Sequence, residues 1–139
     1  MKAVPDTMIW VSYCTRRDGY RHRLIRRACQ SRVRLYVSPY ILEELTKVLT
    51  EDLNRSRRFV FLARRAILRV AKLVNLPPSI RPRVPGDPQD DAIVQTALSA
   101  GADYLITADS ELLKLGKVEG VAVIPATEFE QLLPPEDSP

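Results

Sequence analysis

The sequence predicts an α/β fold, a three-layer α/β/α sandwich with a central, mainly parallel sheet. Short apolar, β-prone runs alternate with helical patterns along the whole chain, which is the order that builds a parallel sheet covered by helices. The chain has 139 residues, the usual size of one domain. We therefore expect a single domain over residues 1–133, followed by a disordered tail over residues 134–139.

Turn and cap signals delimit the predicted elements. Ser38 followed by Pro39, and Asp87 followed by Pro88, are typical helix starts, and Gly101 is a typical residue after a helix end. The predicted strands cover residues 3–11, 34–37, 104–106 and 121–124. The predicted helices cover residues 20–30, 38–49, 57–74, 87–101 and 110–115, and Thr127 caps a last helical turn. No apolar run reaches 18 residues, which excludes a membrane-spanning segment.

Basic and acidic residues are unevenly distributed. The net charge is +4, yet eight arginines lie between Arg16 and Arg34 against one acid, whereas acids predominate after residue 86. Arginine grips phosphate groups in a bidentate manner, so this bias favours nucleic-acid binding over the alternative of a solvated helix face. The candidate nucleic-acid-binding residues are Arg16, Arg17, Arg23 and Arg26.

Four acidic positions follow or adjoin predicted strands. Asp6 lies in or at the end of the first strand, and Asp109 comes three residues after the third. An acid of the helix after the second strand (Glu43 or Glu44) and one at the start of the helix after residue 87 (Asp90 or Asp91) complete the set. Because ligands of parallel sheets gather at the carboxyl ends of strands, and converging carboxylates need a cation, this pattern indicates a site for Mg²⁺ or Mn²⁺.

Each acid also has a purely structural alternative. Asp90 and Asp91 would stabilise the dipole of their helix, and Asp109 would cap the next one. Glu43 and Glu44 are both spaced to pair with Lys47. Asp6 is the hardest to explain in this way, because a carboxylate in an apolar strand is costly without a cationic partner.

A hydrolytic reaction fits these residues better than covalent catalysis does. A bound dication lowers the pKa of water, which then attacks a phosphodiester. The only histidine, His22, lies among arginines and is interpreted as a surface or phosphate-contacting group. Cys14 and Cys29 have no metal-binding spacing and are interpreted as structural thiols of a reduced, cytoplasmic protein.

The motifs resemble those of PIN-domain ribonucleases of the VapC-like, toxin–antitoxin kind. The similar segments are VPDTMIWVS, VSPYILEEL, DPQDDAIVQTALSAGADYLITADSELLKL and VAVIPATEF. The resemblance implies Mg²⁺- or Mn²⁺-dependent RNA cleavage, a homodimer, and inhibition by a cognate antitoxin on a separate chain. It selects Asp6, Glu44, Asp90 and Asp109 as the catalytic, metal-binding acids, with Asp91 assisting and Thr107 supporting the site.

One position departs from the family pattern. The family commonly has Asn two residues after its first Asp, where this chain has Met8. An amide would orient the carboxylates by hydrogen bonding, which a thioether cannot do. The alternative function is therefore a catalytically weakened PIN-like nucleic-acid-binding module. A receiver-like signalling domain needs a phosphoacceptor Asp after a middle strand and a Lys after a late one. It is disfavoured because Ser38 and Pro39 follow the second strand and Pro125 follows the last. A dinucleotide-binding domain is disfavoured because no GxGxxG motif follows the first strand.

Overall fold

A six-stranded sheet forms the centre of the protein in a computed structural model that describes residues 1–135. Its strands are β1 (Lys2–Pro5), β2 (Arg34–Val37), β3 (Ala71–Leu73), β4 (Tyr104–Ile106), β5 (Lys117–Val118) and β6 (Val121–Ile124). They lie in the order β3-β2-β1-β4-β6-β5, and every neighbouring pair is parallel except β5 and β6. The predicted fold class is confirmed. Of the predicted tail, residues 136–139 lie outside the described residues.

Seven helices of the described chain accompany the sheet. They are α1 (Thr7–Thr15), α2 (Tyr20–Gln30), α3 (Pro39–Lys47), α4 (Arg57–Val70), α5 (Pro88–Ala100), α6 (Ser110–Leu113) and α7 (Ala126–Leu132), and a π-helical turn (Val48–Asp52) extends α3. The adjacent residues Ala3 and Val4 in β1, and Leu105 and Ile106 in β4, are fully buried. Since successive residues of a strand point to opposite faces, both faces of the sheet are covered, which gives three layers.

The predicted caps start and end the helices at the expected residues. The Ser38 hydroxyl accepts a hydrogen bond from the Ile41 amide at 3.3 Å, and Pro39 takes the first helical position. The Asp87 carboxylate accepts from the amides of the second and third residues of α5, and Gly101 ends that helix in the left-handed region with φ 63°. These local signals fix the start of α3 and both ends of α5, whereas α3 ends at Lys47, before the predicted residue 49, where the π-helical turn begins.

The predicted strand over residues 3–11 is wrong beyond Pro5. The Asp6 carboxylate accepts a hydrogen bond from the Ile9 amide at 3.1 Å and caps α1. Ile9, Trp10 and Val11 are all buried, so α1 is apolar on most of its circumference. Such a run has no helical periodicity, and short apolar runs of this kind are compatible with either a strand or a helix.

The predicted helix over residues 57–74 is too long. It ends at Val70, and the next three residues form β3 beside β2, with Leu35 opposite Ala71 and Val37 opposite Leu73. The backbone of a sheet edge offers hydrogen bonds that no local pattern reveals, and these favour the extended conformation. The Val74 amide continues this pairing by donating to the Val37 carbonyl at 2.8 Å.

Three smaller differences lie towards the C-terminal end. The strand β5 was not expected; it forms a hairpin with β6, and Gly116 and Gly120 beside it have positive φ angles. The short helix α6 ends at Leu113 rather than at residue 115. The last helix begins at Ala126, so the residue in the cap position is Pro125 and not Thr127.

The order of the strands locates one crevice. From β1 the chain moves outwards to β2 and β3, then returns to the opposite side of β1 to form β4. At such a reversal the connections leave in opposite directions, and ligands bind at the carboxyl ends of the two central strands. The Asp6 amide donates to the Ile106 carbonyl at 2.9 Å, which joins the ends of β1 and β4. No helix within residues 1–135 has the length and apolar character needed to cross a membrane.

Candidate functional site

An open cavity of about 650 Å³ lies at the carboxyl ends of β1 and β4. Its walls come from the starts of α1 and α5, the end of α3, the π-helical turn and the loop after β4. Seven carboxylates and one ammonium group line it: Asp6, Glu44, Glu51, Asp52, Asp87, Asp90, Asp109 and Lys47. The four acids that the resemblance selects therefore border the same cavity.

Asp6 is held by two hydrogen bonds at the end of β1. Its side chain is only 7% exposed; one carboxylate oxygen caps α1, and the other accepts from the Thr107 hydroxyl. Burial raises the pKa of Asp6 above its usual value, and the Asp109 charge adds to this effect, while both hydrogen bonds and the charge of Arg21 oppose it. The site thus keeps a carboxylate in a place where its charge is poorly solvated.

Thr107 connects Asp6 with Asp109. It is fully buried, and its amide donates to the Ile124 carbonyl at 3.0 Å, which fixes its backbone to β6. Its hydroxyl donates to Asp6 and accepts from the Asp109 amide at 3.0 Å. Asp109 itself is exposed, and it caps α6 by accepting from the Glu111 amide at 2.8 Å. Asp109 therefore caps the next helix, as its structural alternative predicts, and also borders the cavity.

Glu44 has a hydrogen-bond partner that no spacing in the sequence predicts. The buried hydroxyl of Thr7 donates to its carboxylate across 37 residues of chain. Thr7 directly follows Asp6, so the first turn of α1 contacts two of the four acids. The only signal in the sequence was the presence of a hydroxyl beside Asp6. Met8 lines the same cavity with its side chain 50% exposed.

Asp90 has a carboxylate oxygen that is buried without a hydrogen-bond partner in the described structure. Burial raises the pKa of Asp90 to about 7, and the charges of Asp109, Asp87 and Glu44 contribute further. An orphaned, electron-rich oxygen among other carboxylates is a position that a cation would stabilise. Asp87, which sequence reasoning treated only as a cap, is also part of the cavity wall.

Asp91 points to a different part of the molecule. One of its oxygens accepts from the backbone amides of Arg83 and Val84, at 2.6 and 2.7 Å. These bonds tie the proline-rich segment before α5 to the helix. Asp91 does not contribute to the lining of the carboxylate cavity.

The side chains are not arranged as a finished metal site. Within residues 1–135, no three His, Cys, Asp or Glu side chains are grouped so that they could hold one metal ion. Glu44 is turned to Thr7 and Asp6 to Thr107, as expected for carboxylates that repel one another. The donor set nevertheless fits a hard cation, because it consists of carboxylate oxygens and includes the orphaned oxygen of Asp90.

The four predicted nucleic-acid-binding arginines are exposed but do not line this cavity. Arg17 borders a second cavity of about 460 Å³ between α1, α2 and α4, together with Arg65 and Arg69. Arg21, which was not among the candidates, is nearer to the acids: its guanidinium donates to the Met8 carbonyl at 3.3 Å. The stacking of His22 on Tyr13, with ring centroids 4.5 Å apart, contributes to the second cavity.

The sequence matches a family model described as the PIN domain over residues 2–111, a range that includes all seven carboxylates of the cavity. The chain belongs to the PIN domain family. PIN domains are in general nucleases, and the family in general uses divalent metal ions. The predicted family is thus confirmed, and no curated protein sequence matches this PIN domain significantly.

Two solved structures with a similar fold have low sequence identity to this PIN domain. One is a chain of VapBC2 from Rickettsia felis, in a crystal structure bound to a DNA fragment from their promoter; the TM-score is 0.66 and the identity 12%, over 90% of this chain and 98% of that one. The other is PAE2754 from Pyrobaculum aerophilum, with a TM-score of 0.59 and 18% identity over 95% and 88% of the chains. At this identity the likeness concerns the fold alone.

Proposed function

We propose that this PIN domain is a metal-dependent endoribonuclease that hydrolyses RNA phosphodiesters. The observation that carries the proposal is the gathering of Asp6, Glu44, Asp90 and Asp109 around one cavity, with an oxygen of Asp90 buried and unpaired. Carboxylates in such a place repel one another and a polyanionic substrate unless a cation is bound. A cavity of this kind, in a family whose members are in general nucleases, supports a metal-dependent nuclease.

The four acids would hold Mg²⁺ or Mn²⁺. When bound, the metal would supply a water of lowered pKa and polarise the phosphoryl oxygen. The protein's own contribution is positional: Thr107 orients Asp6 and the Asp109 backbone, and Thr7 orients Glu44. For three acids to reach one ion, the carboxylates of Asp6 and Glu44 must either rotate away from these hydroxyls or bind the ion with one oxygen while the other keeps its hydrogen bond.

RNA is the proposed substrate because the chain combines the acidic cavity with arginine-rich segments. Arg16, Arg17, Arg23 and Arg26 lie at the end of α1, in the loop after it and on α2, and all four are exposed. Guanidinium groups on such a surface would hold the phosphates of an RNA strand outside the cavity. We propose the cytoplasm as the location, because the proposed substrate is intracellular RNA and both cysteines are free thiols.

Cleavage of a fluorophore–quencher RNA with and without Mn²⁺ tests the proposal. Asp6→Asn should reduce the rate by more than the roughly 10–100-fold loss that follows removal of an outer-shell partner of a metal. Glu128→Gln, which removes an exposed acid of α7, should leave the rate unchanged. Circular dichroism establishes that both variants fold. Wild-type cleavage that is independent of metal, or that survives in Asp6→Asn, would reject the proposal.

A second candidate is a PIN-like nucleic-acid-binding module with weak catalysis. Met8 favours it, since a half-exposed thioether borders the cavity where an amide would donate hydrogen bonds to carboxylates. Under this alternative, wild type binds RNA with little turnover, and Met8→Asn raises the Mn²⁺-dependent rate at least several-fold. Unchanged turnover in Met8→Asn, with wild type already active, would discard the alternative.

We further propose that the protein is the toxin of a toxin–antitoxin pair and binds an antitoxin on a separate chain. The motif resemblance to VapC-like proteins and the likeness of the fold to a VapBC2 chain support this. The exposed stripe of α4 would be the docking surface: Phe61 is 58% exposed, Leu62 and Leu68 are exposed beside it, and residues 53–86 contain no acid. Such a surface fits an acidic partner that presents apolar side chains.

Co-expression with a candidate antitoxin, followed by co-purification and an RNA cleavage assay, tests this pairing. The wild-type nuclease should be inhibited, whereas Phe61→Ser combined with Leu68→Ser should escape inhibition and keep its own activity. Leu132→Ser, a change at an exposed leucine of α7, is the matched control. Equal inhibition of all three would exclude the α4 stripe as the docking surface.

We also propose a homodimer, which the resemblance to VapC-like proteins implies. Light scattering of the isolated chain should then give twice the molar mass of one chain. A dimer that dissociates in the α4 double variant would assign the stripe to self-association instead of antitoxin binding.

A further inference from the structure

Lys47 is the only cationic side chain that lines the carboxylate cavity among residues 1–135. It is the last residue of α3 and is exposed, so its ammonium group is available to a ligand. The other charged lining groups are the seven carboxylates. An exposed positive charge at the border of such a cavity can bind an anion if no carboxylate of the protein already pairs with it.

The internal partners expected from the sequence are engaged elsewhere. Glu43, four residues before Lys47, lies 3.5 Å from a guanidinium nitrogen of Arg64. Glu44, three residues before it, accepts a hydrogen bond from the hydroxyl of Thr7. Within the described part of the chain, Lys47 has no carboxylate oxygen within 4.0 Å. Lys47 is therefore not neutralised by an ion pair, although its helix offers two candidates.

Lys47 also borders a second depression that adjoins the first. This depression has a volume of about 590 Å³ and lies over α3 and the π-helical turn. The two share Glu44, Lys47, Glu51 and Gln89 in their walls. A strand that leaves the carboxylate cavity on this side passes along the shared wall, and Lys47 is the positive charge that it meets.

We propose that Lys47 binds a backbone phosphate of the RNA, next to the phosphodiester that is cleaved. This inference rests on the proposed function, since it assigns a substrate contact to the same site. An ammonium group is a compact point charge that suits a phosphate oxygen and has no need of a fixed geometry. It would offset, at one position, the repulsion between the acidic wall and the polyanion.

The test uses two measurements: RNA binding, which the loss of Lys47 should weaken, and Mn²⁺ binding, which it should not weaken. In the inert Asp6→Asn background, Lys47→Met should weaken the binding of a single-stranded RNA by roughly tenfold, the scale of one charge-assisted contact. It should also lower the salt dependence of binding by about 0.7 in log–log slope, as for one lost phosphate contact. In the otherwise wild-type chain, Lys47→Met should leave Mn²⁺ affinity unchanged or raise it, because a positive charge beside the metal site is removed.

Two further variants make the outcome specific. Lys47→Arg should restore RNA binding, because the charge is kept. Lys117→Met removes the same charge from β5, away from the cavity wall, and should change neither measurement. RNA affinity equal in Lys47→Met and its parent, or an equal loss in Lys117→Met, would overturn the proposal. Since binding is measured without cleavage, a wild-type chain that fails to cut RNA refutes the nuclease alone and leaves the result for Lys47 standing.

Discussion

A single hydroxyl group, that of Thr107, sets the relation between Asp6 and Asp109. It donates to the first and accepts from the backbone of the second, so both of its hydrogen-bonding capacities are used. Thr7 acts on Glu44 in a similar way. At the scale of residues, the site is thus a set of acids, three of which are coupled to buried threonines, while Asp90 keeps an unpaired oxygen.

Because one oxygen of Asp90 is buried and unpaired, the contribution of Asp90 to the stability of the metal-free protein depends on pH. Its pKa rises from 3.8 to about 7 on folding, mainly through burial. Between these values the folded chain holds the Asp90 proton and the unfolded chain has lost it. The contribution of Asp90 to stability is therefore most favourable below pH 4, falls as pH rises, and levels off above pH 7.

Asp90→Asn should stabilise the metal-free protein at pH 8 and lose that advantage as the pH falls towards 4. The gain should be about 1–2 kcal/mol, smaller than the roughly 1.4 kcal/mol per pKa unit would give, because solvent in the open cavity screens the charge of Asp90. Urea unfolding in the presence of EDTA at pH 8, 6 and 4 measures it, with Glu128→Gln as the control. A gain that is the same at all three pH values would contradict the assigned cause.

At the scale of elements, the acids at the start of α5 have two separate roles. Asp87 and Asp90 face the cavity, while Asp91 holds the proline-rich segment by accepting from the Arg83 and Val84 amides. Arg83 in turn pairs with Glu119 at 2.7 Å and so connects this segment to the β5–β6 hairpin. Adjacent acids of one helix turn therefore serve different ends because they point in different directions.

Asp91→Ala should destabilise the protein by about 2–4 kcal/mol, because it leaves two backbone amides without an acceptor. Asp91→Asn retains an acceptor oxygen and should cost much less. Calorimetric titration with Mn²⁺ should find the same affinity in Asp91→Asn as in wild type. A stable Asp91→Asn variant with greatly weakened Mn²⁺ binding would instead make Asp91 a metal ligand, as first expected for an assisting acid.

At the scale of the whole molecule, charge is segregated. Seven carboxylates border one cavity at the switch point of the sheet, and many of the arginines lie on α2, α4 and the loop after α1. This separation allows a polyanion to be held by one region while its phosphodiester reaches the other. It also means that binding and metal affinity can be altered independently.

Replacing Arg16, Arg17, Arg23 and Arg26 together by Gln should weaken RNA binding without changing Mn²⁺ affinity. Each lost phosphate contact lowers the salt slope by about 0.7 for a single strand, so the slope falls by up to about 3. Fluorescence anisotropy at several salt concentrations measures it. The control replaces Arg55, Arg57, Arg58 and Arg65; a larger effect there would move the RNA path to the α4 side.

The sequence by itself determined the family and the elements that begin and end with local chemistry. Ser38 with Pro39, Asp87 with Pro88, and Gly101 act within a few residues of themselves, so the start of α3 and both ends of α5 were predicted correctly. The fold class followed from the alternation of strands and helices, and the acids near strand ends from the rule for parallel sheets.

Only the tertiary structure decided the features that depend on distant chain segments. The strand β3 exists because β2 offers it a backbone, and α1 replaces a strand because its apolar residues are buried on most sides. The division of labour between Asp90 and Asp91 depends on which way each side chain faces. Glu44 pairs with Thr7, and Lys47 is left without a carboxylate partner, because α1 and α4 pack against α3. Long-range packing sets these contacts, and no spacing along the chain encodes it.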